Sequence, residues 1–66
     1  MSVYTHIYSK LLDNGLTDVQ KFTVCIHPYY TRYYNNGQEI TRQEYCNRTK
    51  YYDNHCYHYD YEKKEV

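Results

Sequence analysis

Tyrosine is the dominant bulky side chain in this sequence: there are twelve tyrosines, one phenylalanine and no tryptophan. The aliphatic residues are few and concentrated in the first 40 positions: Val3, Ile7, Leu11, Leu12, Leu16, Val19, Val24, Ile26 and Ile40. A folded form must therefore take much of its packing from phenol rings. Each such ring buries on the order of 150–250 Å² but carries a hydroxyl that needs a partner or water, so it suits half-exposed positions better than a dry centre. The chain has 66 residues. At that size a domain buries only roughly 60% of the surface exposed by its unfolded form, so the core is small and there is no room for a second domain.

Eight basic and eight acidic residues cancel. The balance removes the electrostatic footprint of a nucleic-acid binder and, equally, that of a strongly acidic mimic of DNA. The N-terminus lacks a basic segment followed by a long apolar run, and no window approaches the apolar length of a membrane span. The sequence reads as that of a soluble protein. Three cysteines are an odd set, which favours a reducing, cytoplasmic setting over a disulfide framework. In that setting the sequon Asn47-Arg48-Thr49 carries no weight.

Val3, Tyr4, Ile7, Tyr8, Leu11 and Leu12 recur at the spacing of one amphipathic helical face. With Ser2 as N-cap and Gly15 in the left-handed C′ position, the pattern predicts a helix over about 3–14. The β-forming character of Val3, Tyr4, Thr5 and Ile7 also allows a strand over 3–8. Phe22, Val24 and Ile26 alternate with Thr23, Cys25 and His27, which predicts a half-buried strand over about 19–27. Pro28 cannot donate to a ladder and marks its end or an edge. Asn36-Gly37 between two polar-aromatic runs predicts a tight hairpin joining strands over 29–34 and 38–46. A loop near Asn47–Lys50 or a turn at Asp53-Asn54 leads to a last strand over 55–62 and a frayed tail at 63–66. The expected fold class is α+β, one N-terminal helix on a small antiparallel sheet of three or four strands, with Phe22, Val24, Ile26 and Ile40 facing the helix.

Two Cys-x-His units, Cys25-x-His27 and Cys56-x-His58, offer two thiolates and two imidazoles to one tetrahedral zinc if their strands lie side by side. That spacing is not a standard zinc signature, and the same cysteines also suit small buried positions, so the leading reading has no cofactor and zinc stands as an alternative. A Cys/His nucleophile would also need an orienting group, oxyanion donors and a pocket, for which so short a chain has little material. The chain is expected not to be an enzyme.

The tyrosines give the main functional reading. In the last strand Tyr57, Tyr59 and Tyr61 alternate with Cys56, His58 and Asp60, and in the middle of the chain Tyr29, Tyr30, Tyr33 and Tyr34 surround Arg32. Such a strip can stack single-stranded bases with help from Arg32, Arg42, Arg48 and Lys50, although balanced charge speaks against it. Tyrosine beside arginine is also the composition of protein interfaces, where rigid rings supply contact area at low entropic cost. The leading expectation is a protein-binding module that uses Tyr29, Tyr30, Arg32, Tyr33, Tyr34, Tyr57, Tyr59 and Tyr61, with a homodimer as a close variant. In size and composition the chain resembles small bacteriophage or viral accessory proteins that bind and block a host protein. That resemblance implies an inhibitor acting by occlusion in the host cytoplasm.

Overall fold

A computed structural model describes residues 1–66. The elements are β1 (Ser2–Leu11), β2 (Thr17–Ile26), β3 (Thr31–Asn35), β4 (Gln38–Ile40), α1 (Arg42–Asp53) and β5 (His58–Glu65). The five strands form one antiparallel sheet in the order β4-β3-β2-β1-β5. The first four make a meander. α1 then carries the chain from the β4 edge to the opposite edge, where β5 pairs with β1. The α+β class holds, but the sheet has five strands and the helix is not N-terminal.

The predicted helix over 3–14 is instead a hairpin arm. Its helical-period set divides once the chain is extended: Val3, Ile7 and Leu11 point to one sheet face and Tyr4 and Tyr8 to the other, and β1 pairs along its whole length with β2. β-branched and aromatic residues gain more from this pleated, paired setting than from a helix. Gly15 does take a positive φ of 84°, but within the turn of the β1–β2 hairpin. There its N–H donates to the Leu12 carbonyl at 3.0 Å and the Leu12 N–H donates to Leu16 at 2.8 Å. A glycine that ends a helix and one that closes a three-residue hairpin loop need the same left-handed backbone.

β2 matches the alternation, and Pro28 lies outside it in a short connection. The Asn36-Gly37 hairpin is present, with φ of 52° and 83°, the paired positive values of a type I′ turn. The strand predicted over 38–46 stops at Ile40 and becomes helix. Thr41 supplies the switch: its hydroxyl accepts the Glu44 N–H at 3.1 Å while the Glu44 carboxylate receives the Thr41 N–H at 3.5 Å. This reciprocal box satisfies two of the donors that a helix start leaves open. The loop expected at Asn47–Lys50 is the middle of that helix.

The last strand is displaced from the predicted 55–62 to His58–Glu65, because the helix exit occupies residues up to Cys56, which has a φ of 58°. The tail at 63–66 is therefore mostly paired strand and not frayed. The Met1 ammonium donates to the Val66 carbonyl at 3.1 Å, and the Val66 N–H donates to the Met1 carbonyl at 2.8 Å.

Directly paired residues share a face in an antiparallel sheet. The register therefore puts Tyr4, His6, Tyr8, Phe22, Val24, Tyr33, Ile40, Tyr59 and Tyr61 on the helix side. Tyr45, Thr49 and Tyr52, one helical stripe, are the half-buried residues of α1. Only Tyr8, Phe22 and Val24 are buried, Phe22 alone completely. Phe22 is the centre, meeting Tyr8 edge-on at 5.9 Å and Tyr45 edge-on at 5.8 Å, a favourable arrangement for aromatic quadrupoles. No element covers the other face. The accessible surface is 4994 Å², against roughly 4,500 Å² expected for a compact monomer of this mass.

Candidate protein-docking surface

The structure distributes the tyrosines over distinct environments. Tyr33 lies beneath α1, with its ring 4.9 Å from that of Tyr45. Tyr57 is half-buried: it packs edge-on against Tyr52 and donates its hydroxyl to Asp18 at 2.7 Å. That bond is the main cause pushing the Tyr57 phenol up to about 12, and bonds from Gln20 and Tyr57 hold the Asp18 carboxyl below its usual range. Tyr8 faces the Asp53 carboxylate, and burial together with that charge raises its phenol strongly. Tyr8 is committed to the interior, and Tyr33 and Tyr57 are half-buried by their packing.

Tyr59 and Tyr61 project from β5 on the helix side and both are exposed, Tyr59 with its ring 5.1 Å from that of Tyr8. Tyr59 Oη lies 2.6 Å from His6 Nδ1, and the two rings stack at 5.8 Å. Burial holds His6 below the ordinary histidine range, against the opposing pull of Asp53. The ring is therefore neutral at neutral pH, and its Nδ1 and the Tyr59 hydroxyl share one hydrogen bond whose donor is set by the imidazole tautomer. Tyr34 points to the open face opposite Thr23.

Tyr29, Tyr30 and Arg32 are brought together where β2 turns into β3. The His27 N–H donates to the Tyr30 carbonyl at 2.9 Å, and Pro28 fixes one backbone dihedral of the connection. The His27 and Tyr30 rings stack at 4.3 Å, and the Arg32 guanidinium sits 5.1 Å from the Tyr30 centroid. Tyr30 is thus held between a ring and a cation, while Tyr29 beside it is 96% exposed. Arg32 also reaches Glu39 on β4 at 3.4 Å. Next to this group lies an open depression of about 430 Å³ lined by Arg32, Tyr33, Glu39, Ile40 and Arg42 among others. A projecting ring, a braced ring and an adjacent hollow occupy one end of the sheet.

The Cys-x-His residues are not brought to one place. Cys25 pairs with Val3 and His58 with Ser9, positions six residues apart on β1 and hence on the order of 20 Å apart. His27 stacks on Tyr30, and Cys56 is exposed at the helix exit. No group of three or more His, Cys, Asp or Glu side chains is positioned to hold a metal ion. The arginines do not form a track either: Arg48 bonds to Glu44 at 2.9 Å and to Asn35 at 2.8 Å. No helix is long and apolar enough to cross a membrane. His6 was missed in the sequence because a histidine among alternating tyrosines has no local signature. Its environment depends on β5 and α1, both distant along the chain.

No protein-family model matches the chain, and neither a curated protein nor a solved structure matches it.

Proposed function

We propose that this chain is a non-enzymatic protein-binding module that docks through the β2–β3 connection, with Tyr29 and Tyr30 as aromatic anchors and Arg32 as the polar contact beside them. The observation that carries the reading is Tyr29 at 96% exposure next to a Tyr30 ring braced by His27 and Arg32. A fully wetted ring contributes nothing to this chain's own packing, whereas on a partner it can bury on the order of 150–250 Å². The bracing matters because side chains already held in place lose little freedom on docking. Tyrosine and arginine are also the residue types that carry most energy at interface centres.

The mechanism in this reading is occlusion: the module covers a surface that its partner needs exposed, as an accessory or inhibitor protein of phage or viral type. Three unpaired cysteines, two of them exposed, support action in a reducing cytoplasm. The test is affinity purification from the native cell with the wild-type chain and with Tyr29→Ala/Tyr30→Ala, both checked for unchanged melting. Recovery of one partner by the wild type and its loss by the variant supports the reading. A partner retained by the variant, or none recovered by the wild type, rejects this docking surface.

A further inference from the structure

The two edges of the sheet are built differently. β4, at one edge, is three residues long and is followed at once by α1. β5, at the other, is an eight-residue strand with every residue exposed. The reciprocal hydrogen bonds between Met1 and Val66 fix which backbone groups of β5 are free. Bonded pairs alternate along an antiparallel ladder, so His58, Asp60, Glu62 and Lys64 direct their N–H and C=O groups to β1. Tyr59, Tyr61, Lys63 and Glu65 direct theirs outward, to an open edge. An edge of this length is a template for another strand.

We infer that β5 is a self-association edge, on which a second copy of this chain pairs antiparallel about a two-fold axis at Glu62. Symmetry and charge select the register. An antiparallel pair with a two-fold axis normal to the sheet keeps side chains of each parity on one face, so only even register sums are allowed. In the register centred on Glu62, Tyr61 meets Lys63 of the second copy, Tyr59 meets Glu65, and Asp60 meets Lys64, each contact occurring twice. The register centred on Tyr61 places Asp60 against Glu62 twice and His58 against Lys64 twice, and the register centred on Lys63 pairs Glu62 with Lys64 twice but keeps only residues 61–65 of β5 paired, against 59–65 for the register centred on Glu62. Opposite charges facing across a pair stabilise it and like charges destabilise it, so the register centred on Glu62, which combines opposite charges with the longer overlap, is preferred. Its one directly opposed like-charge contact is Glu62 against Glu62 at the axis, with the Asp60–Lys64 pairs, each neutral as a pair, on either side.

Asp60 has two roles in this arrangement. In the single chain its carboxylate accepts the outward Tyr61 N–H at 2.8 Å, closing one donor of the open edge. On association that N–H passes to the Lys63 carbonyl of the second copy, and the Asp60 carboxylate turns to the Lys64 ammonium. The exchange offsets part of the gain, so the pair is weak and depends on concentration. Both helices lie on the same side of the joined sheet, and the Tyr59 and Tyr61 rows of the two copies form one aromatic band across the axis. This inference is independent of the docking role of Tyr29 and Tyr30.

The test uses the whole chain in a sedimentation-velocity dilution series, with circular dichroism to verify folding. The wild type is expected to shift from monomer to dimer with concentration. Asp60→Lys and Lys64→Asp should each weaken association about tenfold, the double exchange should restore it, and Glu62→Gln should strengthen it at neutral pH. Glu62→Cys gives a second readout that does not require a charge-reversed variant to fold. Paired residues that are not hydrogen-bonded to each other lie on the order of 4.5 Å apart between Cα atoms, within the window for a disulfide. Mild oxidation should therefore link position 62 to position 62, as read by peptide mass, whereas Tyr61→Cys should not self-link. A wild type that stays monomeric up to about 1 mM, the range of very weak complexes, overturns the inference. So does a dimer unaffected by the charge exchanges, or cross-linking at 61 in place of 62.

Discussion

The two faces of the sheet solve the same problem with different side chains. On the helix side, Tyr8, Phe22, Tyr33, Tyr45 and Tyr52 fill the space between layers with edge-on, tilted and stacked rings. On the other side, Val3, Thr5, Ile7, Thr23 and Cys25 are half-buried and nothing lies over them. A helix with no Leu, Ile, Val, Met or Phe in it can reach the sheet only through long flat rings, and the phenols around it, at the helix exit and on β1 and β5, have polar partners. Asp18 answers Tyr57, the Asp53 carboxylate faces Tyr8, and His6 answers Tyr59. Short β-branched side chains on the open face shield the ladder from water without requiring a second layer. The covered face is therefore where the fold is held, and the open face is where change is tolerated.

Removing the centre of the covered face is the strongest way to break that contrast. Phe22→Ala should cost about 3–5 kcal/mol, a third or more of the roughly 3–10 kcal/mol available to a chain of this length. Urea unfolding followed by circular dichroism should find a loss of that size, up to a variant already unfolded in buffer. A loss under about 1 kcal/mol would place the core elsewhere.

A smaller effect separates the faces by pH. Because His6 is held below the ordinary histidine value, the unfolded chain takes up a proton at higher pH than the folded one. Stability should therefore decline as pH falls through about 6.5 and level off below the folded-state value. The melting temperature should drop between about pH 7.5 and pH 5.5 in the wild type, and His6→Asn should flatten that slope. A slope equally steep in the variant would assign the dependence to another group. The carboxyls held low, Asp18 and Glu65, act separately: their contribution is present above about pH 4 and is lost as pH falls through their folded values.

The least disruptive change is on the open face. Ile7→Thr keeps a β-branched residue opposite Lys21 and Asp60 and should cost about 1 kcal/mol or less, measured in the same urea titration. A cost approaching that of Phe22→Ala would mean that the open face is covered in solution.

Parts of this fold could be read directly because the relevant chemistry is local. Asn36-Gly37 specifies its own turn, Pro28 ends a strand by lacking a donor, and the alternation of Phe22, Val24 and Ile26 needs only two-residue periodicity. The N-terminal hairpin was ambiguous because Val3, Tyr4, Ile7 and Tyr8 satisfy a helical spacing and a two-faced strand alike. The actual pairing partner, β2, decides between them and lies beyond any local window. α1 left a signal that was passed over: Thr41 followed three residues later by Glu44, with Tyr45, Thr49 and Tyr52 on one stripe. Treating tyrosine as a strand former hid the fact that here it is the apolar residue of a helix. The exposure of the candidate residues was legible only in part. Composition pointed to Tyr29, Tyr30 and Arg32, but Tyr33 and Tyr57 are half-buried because register and the helix crossing place them there.

The meeting of Met1 and Val66 across a ladder pair makes the backbone path almost a closed ring. Joining those two positions with a short peptide and opening the chain instead at the Asp13–Gly15 loop would preserve every strand neighbour while changing their order in the gene. It also means that an extension grafted at the front or the back of the molecule starts from the same spot, at the end of the sheet where β2 leaves for the Tyr29 loop.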